Sequence, residues 1–562
     1  MTNKMKHIKF ALPLLAISLL GTTACTGNFE EINKDPNGLE ETQVNVVSRF
    51  NQPITSVYCN YQNRNYEYQL IQNLNADMYS GYMATGTAFN GNSNNSTYVM
   101  QDGWNEQALK SGMLYIMKPI SIILKSTEAK DYTAIAKIIR VAGIHKVVDI
   151  YGPTPYSQAM QGGASVPYDD VETLYTTFLS ELEEAVNDLT TLVDSGEAES
   201  SRLAAFDKVC GQDFKQWIRF ANTLRLRLAM RMAVVKPDLA KTTAEAAVNH
   251  KYGVLVAGNP NVELIDATLQ NPLNEVSLGY NDMRIGASIV SILEGYEDPR
   301  LPIYVTTVGW FKDQSGKASD IVDKNGKPTN SIGKYIGIRQ GTIIDSKDNY
   351  QVFSTMNMST ETKLSDYTGN NTQLSNHLPW MKVAEAYFLR AEGALRGWNM
   401  GGTAKDLYEQ GIKVSFDDYA IPAEAYSAYI NNATGIGKDY VDPHNPDNNH
   451  AGVDKCTVKW DEGASNEEKL HKIINQKWLA MYPDGQEAWS EFRRTGYPKL
   501  FPVVNNMSSG DWTIPQGEFI KRLPFAKCDR DNNADAVKEA TQLLGGPDSP
   551  ATRIWWDTGK NF

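Results

Sequence analysis

The chain has 562 residues and a formal net charge of −12, with 41% apolar and 21% charged side chains. That is ample material for a large core, and the acidic balance excludes a nucleic-acid binder, whose phosphate contacts need clustered Lys and Arg. Five scattered cysteines exclude a disulfide-built scaffold, and no two of them have the Cys-x-x-Cys spacing of a zinc or redox site.

The first element is a leader. Lys4, Lys6 and Lys9 open it, an apolar run from Phe10 to Leu20 follows, and Thr22-Thr23-Ala24 precedes Cys25. A basic start, a short apolar stretch and small residues before a cleavage point predict a signal peptide over residues 1–24. The run is about half the ~20 residues that span a bilayer, so it is not read as a transmembrane helix. A cysteine directly after the small residues is the arrangement of a lipoprotein, with the Cys25 thiol lipidated and first in the mature chain. An ordinary secreted protein is the second reading, because Thr22 stands where leucine is usual. Loss of the three leader lysines takes the mature charge to −15. Membrane contact then comes through the lipid, with several acyl chains needed for a stable anchor.

Residues 25–50 are read as tether and N-terminal segment, and 51–562 as one domain. Residues 51–104, rich in Asn, Gln, Tyr, Gly and Ser, predict irregular structure. A helix follows over 131–148, stopped by Tyr151-Gly152-Pro153. Leu174, Phe178, Leu182, Ala185, Val186 and Leu189 fall on one face of the next. Phe214, Trp217, Ile218, Ala221, Leu224, Leu228 and Met232 line a third, with Arg219, Arg225, Arg227 and Arg231 elsewhere on it. Residues 240–375 mix short β-like runs with Gly, Asn and Asp, a second irregular insertion.

The run Trp380 to Leu395 carries a helical stripe through Trp380, Val383, Ala384, Tyr387, Phe388 and Ala391. Gly397 and Gly401-Gly402 end it, and a partner helix runs from about Thr403 to Phe416. A helix–turn–helix of roughly 34 residues is the size of one tetratricopeptide unit. After a polar loop at 430–465, a helix over 471–481 breaks at Pro483-Asp484-Gly485 and resumes through Ala488, Trp489 and Phe492. Paired helices that each need a neighbour predict a mainly α, tetratricopeptide-like helical repeat superhelix with an irregular lobe and minor β.

Catalytic motifs are scarce. Gly-x-Ser-x-Gly and His-Glu-x-x-His are absent from the sequence. Asp529-x-Asp531-x-Asn533-x-Asp535 imitates a calcium loop but has Ala534 for the glycine and Ala540 for the bidentate glutamate. It is read as a solvated loop. Seven unclustered histidines, His145 and His471 among them, predict no metal centre, and no cofactor is expected. Glu487 and Glu491 are one turn apart, but Arg493 and Arg494 beside them predict ion pairing. Trp104, Tyr156, Trp478, Trp489, Trp555 and Trp556 are read as packing.

The aromatics of the irregular regions are the ligand-binding candidates: Tyr79, Tyr82, Phe89, Tyr280, Tyr304 and Trp310. Rings stack on the apolar faces of sugars, and Asn75, Asp77, Asn90 and Asn92 lie beside the first three. Tyrosines packed beneath a polar loop would give the same composition, so the expectation is that some of the six line the site.

Several motifs together resemble the SusD/RagB family of nutrient-binding outer-membrane lipoproteins of Bacteroidetes. They are Asn33-Lys34-Asp35-Pro36-Asn37, Val148 through Tyr156, Trp217 through Arg231 and Ala384 through Arg396. Gln476 through Ala480, Asp484 through Trp489, Arg493 through Pro498, Arg522-Leu523-Pro524 and Ile554 through Asp557 complete the set. Phe525 stands where the family pattern would place tyrosine. The resemblance implies four tetratricopeptide-like pairs with an irregular ligand-binding lobe. It also implies a cell-surface, lipid-anchored position over a SusC-like TonB-dependent transporter, and an oligosaccharide or peptide nutrient as ligand. Glu30-Glu31 resembles the acidic signal that sends such lipoproteins outward. The rival readings are a peptide-binding or interaction scaffold of the same fold, and a glycoside hydrolase with two carboxyl groups about 5 to 10 Å apart.

Overall fold

The computed structural model describes residues 45–562 apart from 59–64, 163–164, 198, 200, 267, 270, 309–328 and 358–376. Cys25, Cys59, Glu30-Glu31 and Trp310 therefore lie outside the described residues. Four helix pairs carry the frame. They are α1 (Lys130–Tyr151) with α2 (Val171–Asp194), and α3 (Phe214–Arg231) with α4 (Pro237–Val248). The other two are α5 (Val383–Leu395) with α6 (Ala404–Asp417), and α7 (Asn466–Met481) with α8 (Gly485–Thr495). Successive pairs join through α2 on α3, α3 on α5, and α5 on α7.

The local causes are visible. Asp170 caps α2 by accepting from the Thr173 N–H, and its apolar stripe from Leu174 to Leu189 is buried while the other face is wet. Gly152 ends α1 at φ 86°, a conformation that favours glycine. Between α5 and α6, a Cβ on Gly411 would lie 2.8 Å from the Phe388 ring, so the bare glycine lets the two helices close.

Two boundaries differ from the sequence expectation. Trp380 is not the first residue of α5 but belongs to a strand. The strands are β1 (Met83–Thr85), β2 (Val262–Ile265), β3 (Met283–Ile285) and β4 (His377–Met381), pairing antiparallel as β1–β3 and β2–β4. The ladder with β2 keeps the chain extended through Lys382, and Trp380 packs on Phe220 at 5.9 Å. A short apolar run fits either period, which is why the stripe read through it. Helix α7 starts five residues before His471, at a reciprocal Ser465–Glu468 cap. Its first turn is exposed and carries no apolar residue to mark it. The Asp529 stretch likewise forms two short helices, Lys527–Asn532 and Ala534–Leu544, rather than a loop.

Where the pairs meet, the interior is ionic. Arg227 and Arg231 of α3, Lys477 of α7 and Arg494 of α8 face Asp149, Glu385, Glu392, Glu487 and Glu491, and all nine are buried. Arg227 grips Glu385 with two bonds of 2.7 and 2.6 Å, and Arg494 bridges Glu392 at 2.7 Å and Glu491 at 2.8 Å. Lys477 reaches Glu385, Glu487 and Glu491 within 3.5 Å. Burial and the nearby Arg227 push His145 down to about 3, so this histidine is neutral. Arg493 stays out of the pairing and lies 3.7 Å over the Trp489 ring. Glu487 and Glu491 are thus structural counter-ions sealed from any substrate.

Candidate functional site

The irregular lobe hangs on the β1–β3 ladder, in register Met83↔Ile285, Ala84↔Arg284 and Thr85↔Met283. Residues 336–338 and Ser354 extend it: Ile338 N–H donates to the Ile285 carbonyl at 2.9 Å, and Ile285 N–H to the Ser354 carbonyl at 3.2 Å. Ala84, Ile338, Ile344, Tyr350, Val352 and Phe353 pack beneath as a small core separate from the main one. Irregular chain is thereby held rigidly enough to present side chains.

Two polar clamps fix the surface of this lobe. Asn92 donates to the Ile344 carbonyl and accepts from the Ile344 N–H, both at 2.9 Å. This holds a turn in which Asn90, Gly91 and Asn92 all have φ between 49° and 71°. Asp282 accepts from Gln69 at 3.0 Å, Thr87 at 2.8 Å and Lys347 at 2.6 Å, joining three segments. Lys347 also donates to the Tyr280 carbonyl at 2.7 Å. Beside the Ile344 clamp lies a pocket of about 480 Å³ lined by Asp345, Tyr350, His444, Asn445, Asp447 and Asn505.

The six aromatic candidates divide sharply. Tyr79, Tyr82 and Tyr304 are buried. Tyr82 donates to the Trp478 carbonyl, and Tyr304 donates to the Leu479 carbonyl at 3.1 Å and stacks on Tyr482 at 4.6 Å. Tyr79 packs against Trp489 at 5.3 Å. In this structure these three rings bind the lobe to α7 and α8 and present no face to a ligand. Phe89 and Tyr280 are half-buried. Phe89 sits edge-on to Trp104 at 5.5 Å, which places Trp104 at the rim of the core rather than inside it. Burial, then Glu275 and Asp282, push the Tyr280 hydroxyl up, so it stays protonated and able to donate. The lobe surface therefore offers ring edges and faces, amides, a lysine and carboxylates, which suits a polyhydroxylated ligand better than acid–base chemistry.

Sequence reading missed a second concavity. Residues 294–302, at and beyond the end of helix Ala287–Gly295, and the 425–439 segment line an open cleft of about 1260 Å³. Glu294, Tyr335 and Asp439 also line an adjoining 570 Å³ hollow, so the two form one groove. Its floor depends on Gly295, whose Cβ would lie 1.9 Å from the Ile436 carbonyl oxygen. Burial raises the Glu294 carboxyl, with Lys438 opposing. Composition alone did not mark these residues, because the two walls are more than a hundred residues apart in sequence.

The profile of the family SusD-like: Susd and RagB outer membrane lipoprotein matches residues 28–557. A chitin-binding SusD homolog from Flavobacterium johnsoniae is similar at 39% identity and TM-score 0.82, covering 92% of this chain and all of its own. A SusD homolog from Bacteroides vulgatus follows at 32% identity and TM-score 0.81, covering 92% of this chain and 98% of its own. A third, from Bacteroides thetaiotaomicron, has 29% identity and TM-score 0.79 over 92% and 99%. Among curated proteins none matches. No helix among the described residues is long and apolar enough to cross a membrane.

Proposed function

Since the chain belongs to the SusD-like family of outer-membrane lipoproteins, we propose that it is a non-catalytic surface receptor that captures an oligosaccharide. It would be tethered by lipid on Cys25 and hand its cargo to a SusC-like TonB-dependent transporter. The observation that carries the ligand class is the 39% identity, over 92% of this chain, to a homolog described as chitin-binding. Chitin fragments are therefore the first ligands to test. The sugar would lie across the turn that bears Phe89, Asn90 and Asn92, toward Tyr280 and Lys347, with Trp310 a further candidate. Burial of the Glu487/Glu491 pair supports a binding role over hydrolysis.

Isothermal titration of the mature chain against chitooligosaccharides, cellooligosaccharides and maltooligosaccharides tests this reading. Saturable binding without product formation is expected. A folded protein that binds none of them, or that cleaves one, overturns it. Mass spectrometry of the processed N-terminus checks the acyl group on Cys25, and co-purification with a β-barrel transporter checks the partner.

A further inference from the structure

A cluster of soft and hard ligands lies outside the lobe surface, where loop 431–465 meets α7. Asp454 Oδ2 accepts from His471 Nε2 and the Lys499 N–H, both at 2.9 Å, and from Asn475 Nδ2 at 3.1 Å. Its Oδ1 accepts from the Cys456 N–H at 2.9 Å. The ligand atoms of Asp454, Cys456 and His471 all fall within 4.8 Å of one another. Spacing in sequence hid this group, since Asp454 and Cys456 sit in an irregular loop and His471 on a helix.

We propose that Asp454, Cys456, His471 and Asn475 form a zinc site that locks the 454–456 segment onto α7. An Asp–His ion pair would by itself account for two of these residues, but two further side chains converge on it. One is the Cys456 thiol in the same cluster, which reaches the Thr457 carbonyl at 3.6 Å and also bonds the Tyr296 side chain. The other is Asn475, which is 1% exposed yet has no partner for its Oδ1. Its Nδ2 serves both Asp454 and the Tyr296 hydroxyl, the latter at 2.9 Å. A half-turn of the carboxamide exchanges its nitrogen and oxygen. The oxygen then accepts from Tyr296 and faces the Asp454 carboxylate, an approach of two oxygens that a cation between them would hold, while the amide nitrogen takes the unpartnered position; this orientation completes a four-donor set.

The donor set selects the metal. A thiolate and an imidazole disfavour calcium and magnesium, which take oxygen ligands, and suit zinc. Zinc bonds of about 2.0–2.3 Å fit a cluster of this size after rotation of the Cys456 side chain away from Tyr296. Coordination replaces the thiol proton, which leaves to solvent, so Asp454 and Cys456 together balance the divalent charge. Cys456 and His471 are half-buried, giving the ion a route in. The consequence reaches the groove. The Asp454 carbonyl accepts from the Gly437 N–H at 2.8 Å and Lys455 lines the 1260 Å³ cleft, so a bound ion would brace that wall.

Zinc chloride titrated into the purified full chain, followed by desalting and metal analysis, tests the site. One zinc per chain is expected. C456S and H471Q should each bind at least tenfold more weakly, while Cys528→Ser is unchanged. Cobalt in place of zinc should give a thiolate-to-cobalt charge-transfer band, absent in C456S. The cobalt spectrum of the unaltered chain needs no variant to fold. Zinc well below one per chain, a cobalt spectrum without the thiolate band, or equal affinity in a folded C456S overturns the proposal.

Discussion

Arg231 on α3 and Glu487 on α8 face each other at 2.5 Å across 256 residues of sequence, and neither side chain reaches solvent. Arg231 also pairs with Glu491, and with Asp149 at 3.3 Å. One guanidinium therefore answers three carboxylates from two helices. Arg231→Met keeps the volume but leaves those carboxylates short of one cation. Breaking a buried pair in this way costs about 3–5 kcal/mol. Urea denaturation of the two chains measures it, and a loss below about 1 kcal/mol would show that the network does not hold the pairs together.

The same network sets an acid limit. Burial acts to raise Glu487, but Arg231, Arg227 and Lys477 outweigh it and hold this carboxyl at about 2. Glu491 is held well below the usual range, burial again being overcome, here by Arg494, Lys477 and Arg231. Both folded values lie below the ordinary 4.5. Their stabilising contribution is thus fully present above about pH 4.5 and is lost as pH falls toward about 2. Melting temperature followed from pH 7 to pH 3 should drop most steeply below pH 4.5. A profile that stays flat to pH 3 contradicts the assignment.

The helical frame was legible because its signal is local. Leu174 through Leu189 repeat at a helical period, and the structure buries that stripe. The ionic centre was half legible: Arg227 and Arg231 read as lying off the apolar face, but nothing local shows that α8 arrives to cover them. The aromatic candidates show the limit most clearly. Tyr82 and Phe89 share the same polar neighbourhood in sequence, yet the Tyr82 hydroxyl reaches a carbonyl 396 residues away while Phe89 stays at the rim. Burial of a ring in irregular chain is decided by what packs on it from elsewhere, and that information is not in the segment.

That division gives a test of the ligand face. Phe89→Ala and Tyr280→Ala should each weaken oligosaccharide binding by about tenfold, roughly 1.4 kcal/mol, with little change in melting temperature. Tyr82→Phe should do the reverse, removing a buried hydroxyl that serves the Trp478 carbonyl and costing about 1 kcal/mol of stability with affinity intact. If Tyr82→Phe abolishes binding while Phe89→Ala leaves it unchanged, the site lies elsewhere, and the 1260 Å³ cleft is the next place to look.

Gly485 offers a sharper steric test. It opens α8 directly after Asp484, which caps the helix, and a Cβ there would lie 2.2 Å from Asp77 Oδ1 and 2.6 Å from Asp77 Cα. Asp77 cannot retreat, because Tyr68 at 2.9 Å and Gln72 and Asn73 at 3.0 Å all donate to it. Burial, against those bonds, pushes its carboxyl up to about 6. Gly485→Ala must therefore shift segment Gln69–Asp77, which packs on α8, at a cost of about 1–3 kcal/mol. Gly496, at the other end of α8, separates this effect from backbone strain. It has φ 74°, and an added Cβ would meet nothing closer than 3.6 Å, so Gly496→Ala carries only the conformational penalty of about 1–2 kcal/mol. Because Gln69 also bonds Asp282, Gly485→Ala should loosen the lobe as well and speed amide exchange around residues 280–285, whereas Gly496→Ala should not. Equal exchange in both variants would mean that the Asp77–Gly485 contact does not couple α8 to the lobe.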